Sequence, residues 1–270
     1  MAGGDHDARV TLPSPKKRAF VAAFDERLHR VDEACKEAST RPSERASHRL
    51  RTSTRRLEAT LSLLPKRLRE RGPWANYLAG AKVLFKAHGV ARDLDVLAAR
   101  LAAYPECAAL VATIREERDR ARADAQRVTA SPPPPPPQLE PAALRGRSQR
   151  ARLGRRMRAL RRRLDRDLRA ALRQSSDDEH AHDARKTAKQ LRYVLEALDE
   201  GGFAEALQAL QALQDHLGVM HDAAVARDRL REQHDPSLEL AIMGEERARR
   251  ALHEGIADKW RAMRLALDAL

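Results

Sequence analysis

Apolar positions recur along this chain at helical spacing. Leu50, Leu57, Leu61 and Leu64 fall three, four and seven residues apart, as do Leu191, Leu195 and Leu198 and the longer line Leu153, Met157, Leu160, Leu164 and Leu168. Intervals of this kind place the side chains on one face of a helix. Ala, Leu, Arg, Glu and Gln dominate both halves, and no β-branched alternating run appears. The pattern predicts helices over Pro15–Ser39, Pro42–Leu64, Pro73–Ala87, Asp93–Ala103 and Glu106–Val128. In the second half it predicts Ala142–Gln174, Asp178–Leu198, Phe203–Leu217, Asp222–Gln233 and Ser237–Leu267. Short amphipathic helices with tight connections pack as antiparallel bundles. The expected fold is all-α.

Six consecutive prolines, Pro132 to Pro137, with Pro141 soon after, interrupt the helical pattern near its middle. Such a run favours an extended polyproline spacer. The expected organisation is a disordered tail over 1–14, a first bundle over 15–130, a linker over 131–141 and a second bundle over 142–270. Two blocks recur across the linker in the same order. His48-Arg49-Leu50-Arg51-Thr52-Ser53-Thr54-Arg55-Arg56-Leu57 aligns with the run from His182 to Leu191, and Gly89-Val90-Ala91-Arg92-Asp93-Leu94-Asp95-Val96 with the run from Gly218 to Val225. Nearly constant offsets imply an internal duplication, two pseudo-symmetric antiparallel bundles joined by the proline-rich linker.

Charge narrows the function. The 270 residues carry 52 Lys and Arg against 39 Asp and Glu, a formal net charge of +13, with 43 of the cations Arg. Arginine offers a planar fork that binds phosphate bidentately. The charge is also segregated: Arg147 to Arg192 holds 16 basic and 6 acidic residues, whereas Tyr193 to Glu246 holds 3 and 12. At 42% apolar residues the chain is too hydrophobic to be wholly disordered. It has no apolar run long enough for a membrane span. The first 18 residues show no apolar secretory core, so a cytoplasmic location is expected. Cys35 and Cys107 alone can build neither a disulfide framework nor a cysteine zinc site. These features point to a polyanionic partner and to no membrane.

On a helical wheel His48, Arg51, Thr52 and Arg55 share the face opposite the leucines. His182, Arg185, Lys186, Lys189 and Tyr193 do the same in the second copy, with Arg192 at the edge. Stacked like charges cost helix stability, and these stripes lack interleaved acids, so a bound anion is the natural compensation. A solvated basic face, or interhelical hydrogen bonds for the histidines, is the competing explanation. After the linker Arg155, Arg158, Arg162, Arg166 and Arg169 form a third basic line, which either extends the anion surface or faces water.

Gly89 and Gly218 read as helix ends, and Asp93 and Asp222 as caps of the helices that follow. On that reading Arg92 and His221 lie beside helix N-termini, where free N–H groups favour phosphate oxygens.

The blocks His48-x-x-Arg51-x-x-x-Arg55-Arg56-Leu57, Gly89-x-x-Arg92-Asp93-Leu94-Asp95-Val96 and His182-x-x-Arg185-Lys186-x-x-Lys189-x-x-Arg192-Tyr193 resemble the CHAD domain, the conserved histidine α-helical domain. The resemblance runs from about residue 15 to the C-terminus. It implies two helical bundles around a basic cavity that binds inorganic polyphosphate, with recruitment to polyphosphate granules. By position it implies His48, Arg51, Arg55, Arg56, His182, Arg185, Lys186, Lys189, Arg192 and Tyr193 as the anion-contacting residues. His88, His221 and the hexaproline linker depart from the family pattern.

The leading expectation is therefore a non-catalytic polyphosphate-binding module with no cofactor, no metal and no catalytic residue. Few aromatics suit a ligand without bases, since single-stranded nucleic acid usually asks for stacking. The alternative is a nucleic-acid backbone binder, with nucleic acid also a possible competitor ligand, although no helix-turn-helix or zinc-finger pattern appears. A metal-dependent phosphohydrolase is suggested only by the doublets His182-Asp183 and His221-Asp222, and His182 is ringed by cations that disfavour a metal. If His48 and His182 touch the anion, binding should tighten as pH falls from about 7.5 to 6.

Overall fold

The computed structural model describes residues 17–131, 137, 148–173, 178–198 and 202–270, so the N-terminal tail and most of the proline linker lie outside the described residues. Among the described residues the regular structure is helical throughout. The elements are α1 (Lys17–Thr40), α2 (Glu44–Leu61), α3 (Lys66–Arg69), α4 (Pro73–Leu101), α5 (Ala108–Thr129), α6 (Ser148–Arg173), α7 (Asp178–Glu196), α8 (Ala204–Arg231), α9 (Glu239–Glu254) and α10 (Ile256–Asp268). Short 3-10 turns, Pro105–Cys107 and Pro236–Leu238, lead into α5 and α9. No helix among the described residues is long and apolar enough to cross a membrane.

Local chemistry explains several boundaries. Ser43 caps α2 by accepting from the Ala46 N–H at 3.1 Å. Gly72 adopts φ 69 before Pro73 opens α4, a backbone turn that other residues resist. The single helix expected from Ser237 to Leu267 is divided at Gly255 into α9 and α10. There the His216 ring presses so closely that a Cβ would meet its Cε1 at 2.7 Å.

A larger correction concerns Gly89 and Gly218. Neither ends a helix, and neither Asp93 nor Asp222 caps one: α4 and α8 run straight through both blocks. A mid-helix glycine costs about 1 kcal/mol relative to alanine. At Gly89 it makes room for the Arg51 side chain of α2. With no helix start at Asp93 or Asp222, the free N–H groups expected beside Arg92 and His221 are absent as well.

In the first half α1, α2, α4 and α5 pack as antiparallel neighbours; in the second α6, α7, α8 and α9 do so, with α10 against α8 and α6. The halves meet where α2 packs on α7 and α4 on α8. The core is continuous across that seam. Leu50, Leu57 and Leu61 of α2, Leu164 and Leu168 of α6 and Leu191 and Leu195 of α7 belong to one buried cluster, each contributing about 2 kcal/mol by burial. A second cluster joins Leu97, Leu101 and Ile114 to Leu230 and Leu238. The leucine stripes thus anchor α2 and α7 side by side, which fixes where their opposite faces point.

His88 belongs to this framework. It is buried on α4, with Nδ1 3.0 Å from Ser47 Oγ of α2 and Nε2 2.8 Å from Thr129 Oγ1 of α5. The Thr129 hydroxyl already donates to the Ala125 carbonyl, so it accepts from an Nε2–H, and the Ser47 hydroxyl donates to Nδ1. Burial holds this imidazole neutral by pushing its pKa down. His88 ties three helices together.

Candidate functional site

The polar faces of α2 and α7 are brought together across the seam. Arg51 and Arg55 of α2 lie close enough to Arg185 of α7 to oppose its charge, and Arg55 and Arg185 both act on Lys189. At the outer end His48 feels Arg92, Lys189 and Arg51, and its pKa is lowered, first by burial and then by these cations. The stripes face one another rather than pointing to separate solvent faces.

Each arginine is held by its neighbours. The Arg51 guanidinium passes over Gly89, where a Cβ would run into its Nη1, and reaches Asp93 Oδ1 at 3.4 Å. Arg185 takes the corresponding place against Gly218, with 3.5 Å from its Nε to an added Cβ, and feels Asp222. Gly89 is therefore a window that lets the Arg51 guanidinium lie against α4, whereas at Gly218 an added Cβ would make only an ordinary contact with Arg185. The aspartates read as caps are counter-charges to the same arginines. Arg51 and Arg55 both stack on the Phe85 ring, at 4.8 and 4.7 Å. This fixes two like charges on one aromatic ring.

Deeper in, Tyr193 is only 5% exposed. Arg56 and Arg192 flank its ring at 5.6 and 4.7 Å, and its carbonyl accepts from Arg27 Nη1 at 3.1 Å. Glu196 knits this layer: it accepts from Arg56 Nε at 3.0 Å and from Arg192 Nη1 at 3.0 Å, and lies 3.9 Å from Arg27. Gln214 Oε1 accepts from Arg192 Nε at 3.0 Å. Arg56, Arg192 and Tyr193 thus form a supporting floor, while Arg51, Arg55, Arg185 and Lys189 line the gap. Lys186 is exposed at the rim, 3.0 Å from Asp183. Arg92 pairs with Glu44 beside His48.

His182 and His221 form a pair absent from the sequence reading, with ring centroids 4.3 Å apart. Burial lowers both to about 4; for His182 the next cause is His221 itself, and for His221 it is Arg185 and Lys189. Both imidazoles are neutral at pH 7, and His182 Nδ1 is buried without a hydrogen-bond partner. His221 joins the site through this contact; Phe85, Glu196 and Arg27 are further members that periodicity did not flag. The pairing Arg192–Glu196 at i, i+4 was the one visible signal among them.

Lys189 marks the electrostatic character of the gap. Burial, Arg185 and Arg55 lower its ammonium to about 7 against the pull of Asp222, and no ion pair to it forms among the described residues. The unfolded pKa is about 10.4, so between roughly pH 7 and 10 the unfolded chain binds more protons than the folded one. Folded stability therefore rises with pH across that window. Lys189→Met is expected to stabilise the free protein by about 1–2 kcal/mol at pH 7 by removing an uncompensated half-buried cation, and thermal unfolding checks this. A gap lined by mutually repelling cations is strained without an anion. The same cations disfavour a metal ion here, and among the described residues no group of three His, Cys, Asp or Glu is placed to hold one.

Comparison with known proteins bears on this geometry. A search of solved structures gives the crystal structure of the CHAD domain from the plant Ricinus communis, 24% identical, with a TM-score of 0.64 over 100% of this chain and 98% of that one. It also gives PptA from Streptomyces chartreusis, 18% identical, with a TM-score of 0.57 over 94% of this chain and 99% of that one. At such identities the likeness shows a shared fold. No curated protein matches the chain. The CHAD domain family model matches residues 8–231, a span that contains both His-Arg helices with Gly89 and Gly218, and the chain belongs to the CHAD domain family.

Proposed function

We propose that this protein binds inorganic polyphosphate, without turning it over, in the gap between α2 and α7. The observation that carries the reading is the convergence of Arg51, Arg55, Arg185 and Lys189 with Asp93 and Asp222 as the near carboxylates. A chain of phosphates supplies the missing negative charge. Guanidiniums fixed on Phe85 and packed over Gly89 and Gly218 lose little freedom on binding, so the site is preorganised.

The gap suits a ligand without bases. Phe85 and Tyr193 each already carry two arginines, and Tyr193 is buried, so both rings are engaged by guanidinium rather than presented to a base. That favours polyphosphate over single-stranded nucleic acid. Binding of this kind would bring the protein to polyphosphate granules.

His182 and His221, lowered to about 4, stay neutral from pH 7.5 to 6 and donate N–H bonds rather than charge. Lys189 is the group that titrates near neutrality. Affinity is accordingly expected to tighten as pH falls from about 8.5 to 6.5 through Lys189.

The test of the ligand is fluorescence polarisation of labelled long-chain polyphosphate at roughly physiological salt, with duplex DNA, RNA and orthophosphate as competitors. Binding that unlabelled polyphosphate displaces and that DNA and RNA do not, at matched phosphate concentration, supports the reading. Preferential displacement by nucleic acid overturns it.

A further inference from the structure

The outer face of α6 carries a cationic line that the central gap does not account for. The helix holds 11 arginines and only two acids, Asp165 and Asp167. Asp165 is engaged by Trp260 Nε1 at 2.7 Å. Asp167 is buried and lies 2.9 Å from Arg166 and 3.5 Å from Arg163. Both carboxylates are taken up close to the helix, leaving Arg155, Arg158, Arg162 and Arg169 exposed with no ion pair among the described residues.

At 100° per residue these four lie within about 60° of one another, opposite the buried line of Leu153, Met157, Leu160, Leu164 and Leu168. They span about 21 Å of helix at 1.5 Å per residue. The line is straight, long and unrelieved, a shape matched by an extended polyanion rather than a compact one. Arg169 is further oriented by the Trp260 ring at 5.8 Å, which Arg264 of α10 also faces at 5.7 Å.

This line is connected to the gap. Arg163 of α6 lies 3.5 Å from Asp183 Oδ2, and the other oxygen of that carboxylate holds Lys186 at 3.0 Å. Lys186 is the rim of the central site, next in α7 to Arg185. A chain leaving the gap over Lys186 meets Arg163, which lies about 110° around α6 from the line, and reaches the line by crossing the helix from there.

We propose that the exposed arginines of α6 form a second track that engages the continuation of a long polyphosphate chain, so that the protein distinguishes long chains from short ones. The proposal rests on the central gap binding polyphosphate. Short chains fill the gap alone. Long chains engage gap and track together, and the second contact proceeds at the high effective concentration set by the first.

The test compares the full-length wild-type protein, the track variant Arg155→Gln/Arg158→Gln/Arg162→Gln and the gap variant Arg51→Gln/Arg185→Gln. Each is titrated with tripolyphosphate and with long-chain polyphosphate across a salt series. Arg169 is left intact because it packs on Trp260, and a Lys triple variant at the same three positions serves as the charge-preserving control. The track variant is expected to bind tripolyphosphate as wild type does and to lose long-chain affinity by on the order of 10-fold. Its long-chain salt slope should become shallower by about 2, by analogy with single-stranded nucleic acid. The Lys control should recover most of both. Unchanged long-chain affinity and salt slope in the track variant overturns the track, even where the gap variant loses both ligands. A gap variant that retains tripolyphosphate binding instead overturns the central reading on which the track depends, and the track with it.

Discussion

Replacing Arg51 and Arg185 together by alanine is expected to reduce polyphosphate affinity by at least about 100-fold, with the helical fold retained. Hydrogen bonds to charged groups contribute about 1.5–3 kcal/mol each, and the two guanidiniums occupy corresponding places on opposite walls of the gap. Neither carries the fold. Arg51 meets its single carboxylate, the exposed Asp93, at 3.4 Å, and Arg185 Nε is buried without a hydrogen-bond partner. Their removal relieves repulsion within the free protein, since both lie among the cations that oppose one another and Lys189. Thermal unfolding should therefore show unchanged or raised stability while polarisation binding is lost. Parallel loss of stability and binding would assign these arginines to the framework.

The opposite behaviour is expected one layer down. Glu196→Gln should destabilise the protein by about 3 kcal/mol, as when one partner of a buried ion pair is removed. Glu196 is the carboxylate shared by Arg27, Arg56 and Arg192. Arg27 is buried, and burial lowers it to about 10 even with Glu196 raising it. The amide keeps the shape and one acceptor oxygen but leaves three cations without their common counter-charge. Chemical denaturation would show the loss as a shift of midpoint. Polyphosphate should restore part of it by mass action if the floor and the gap share one field. A variant as stable as wild type would mean that the floor is held by packing on Tyr193 alone.

What could be read from the sequence followed from periodicity within single helices. The leucines of α2, α6 and α7 pointed to an all-α fold, and their opposite faces located His48, Arg51, Arg55, His182, Arg185 and Lys189 correctly as polar stripes. Periodicity reports one helix at a time, so it could not tell that the two stripes face each other. It misread Gly89 and Gly218 for the same reason: a glycine followed by an aspartate has the composition of a helix end. At Gly89 the need for a small residue comes instead from the Arg51 guanidinium of a neighbouring helix. Phe85 and Glu196 were missed, and His221 was singled out for the wrong reason, because their roles arise from contacts between helices. The expected absence of interleaved acids fails within α7, where Asp183 pairs with Lys186, and it fails in space, since Asp93 and Asp222 arrive from α4 and α8.

The central claim is that a polyanion settles beside Lys189, and proton uptake on binding tests it most directly. Lys189 is held near 7 in the free protein, so at pH 8 it is mostly neutral, while phosphates against it would restore its ordinary value of about 10.4. Isothermal titration calorimetry of polyphosphate at pH 8, in buffers of different ionisation enthalpy, is expected to show uptake approaching one proton per bound site. That uptake should vanish in Lys189→Met. Binding without proton uptake, or the same uptake in the variant, would place the polyanion elsewhere on the protein and contradict the account.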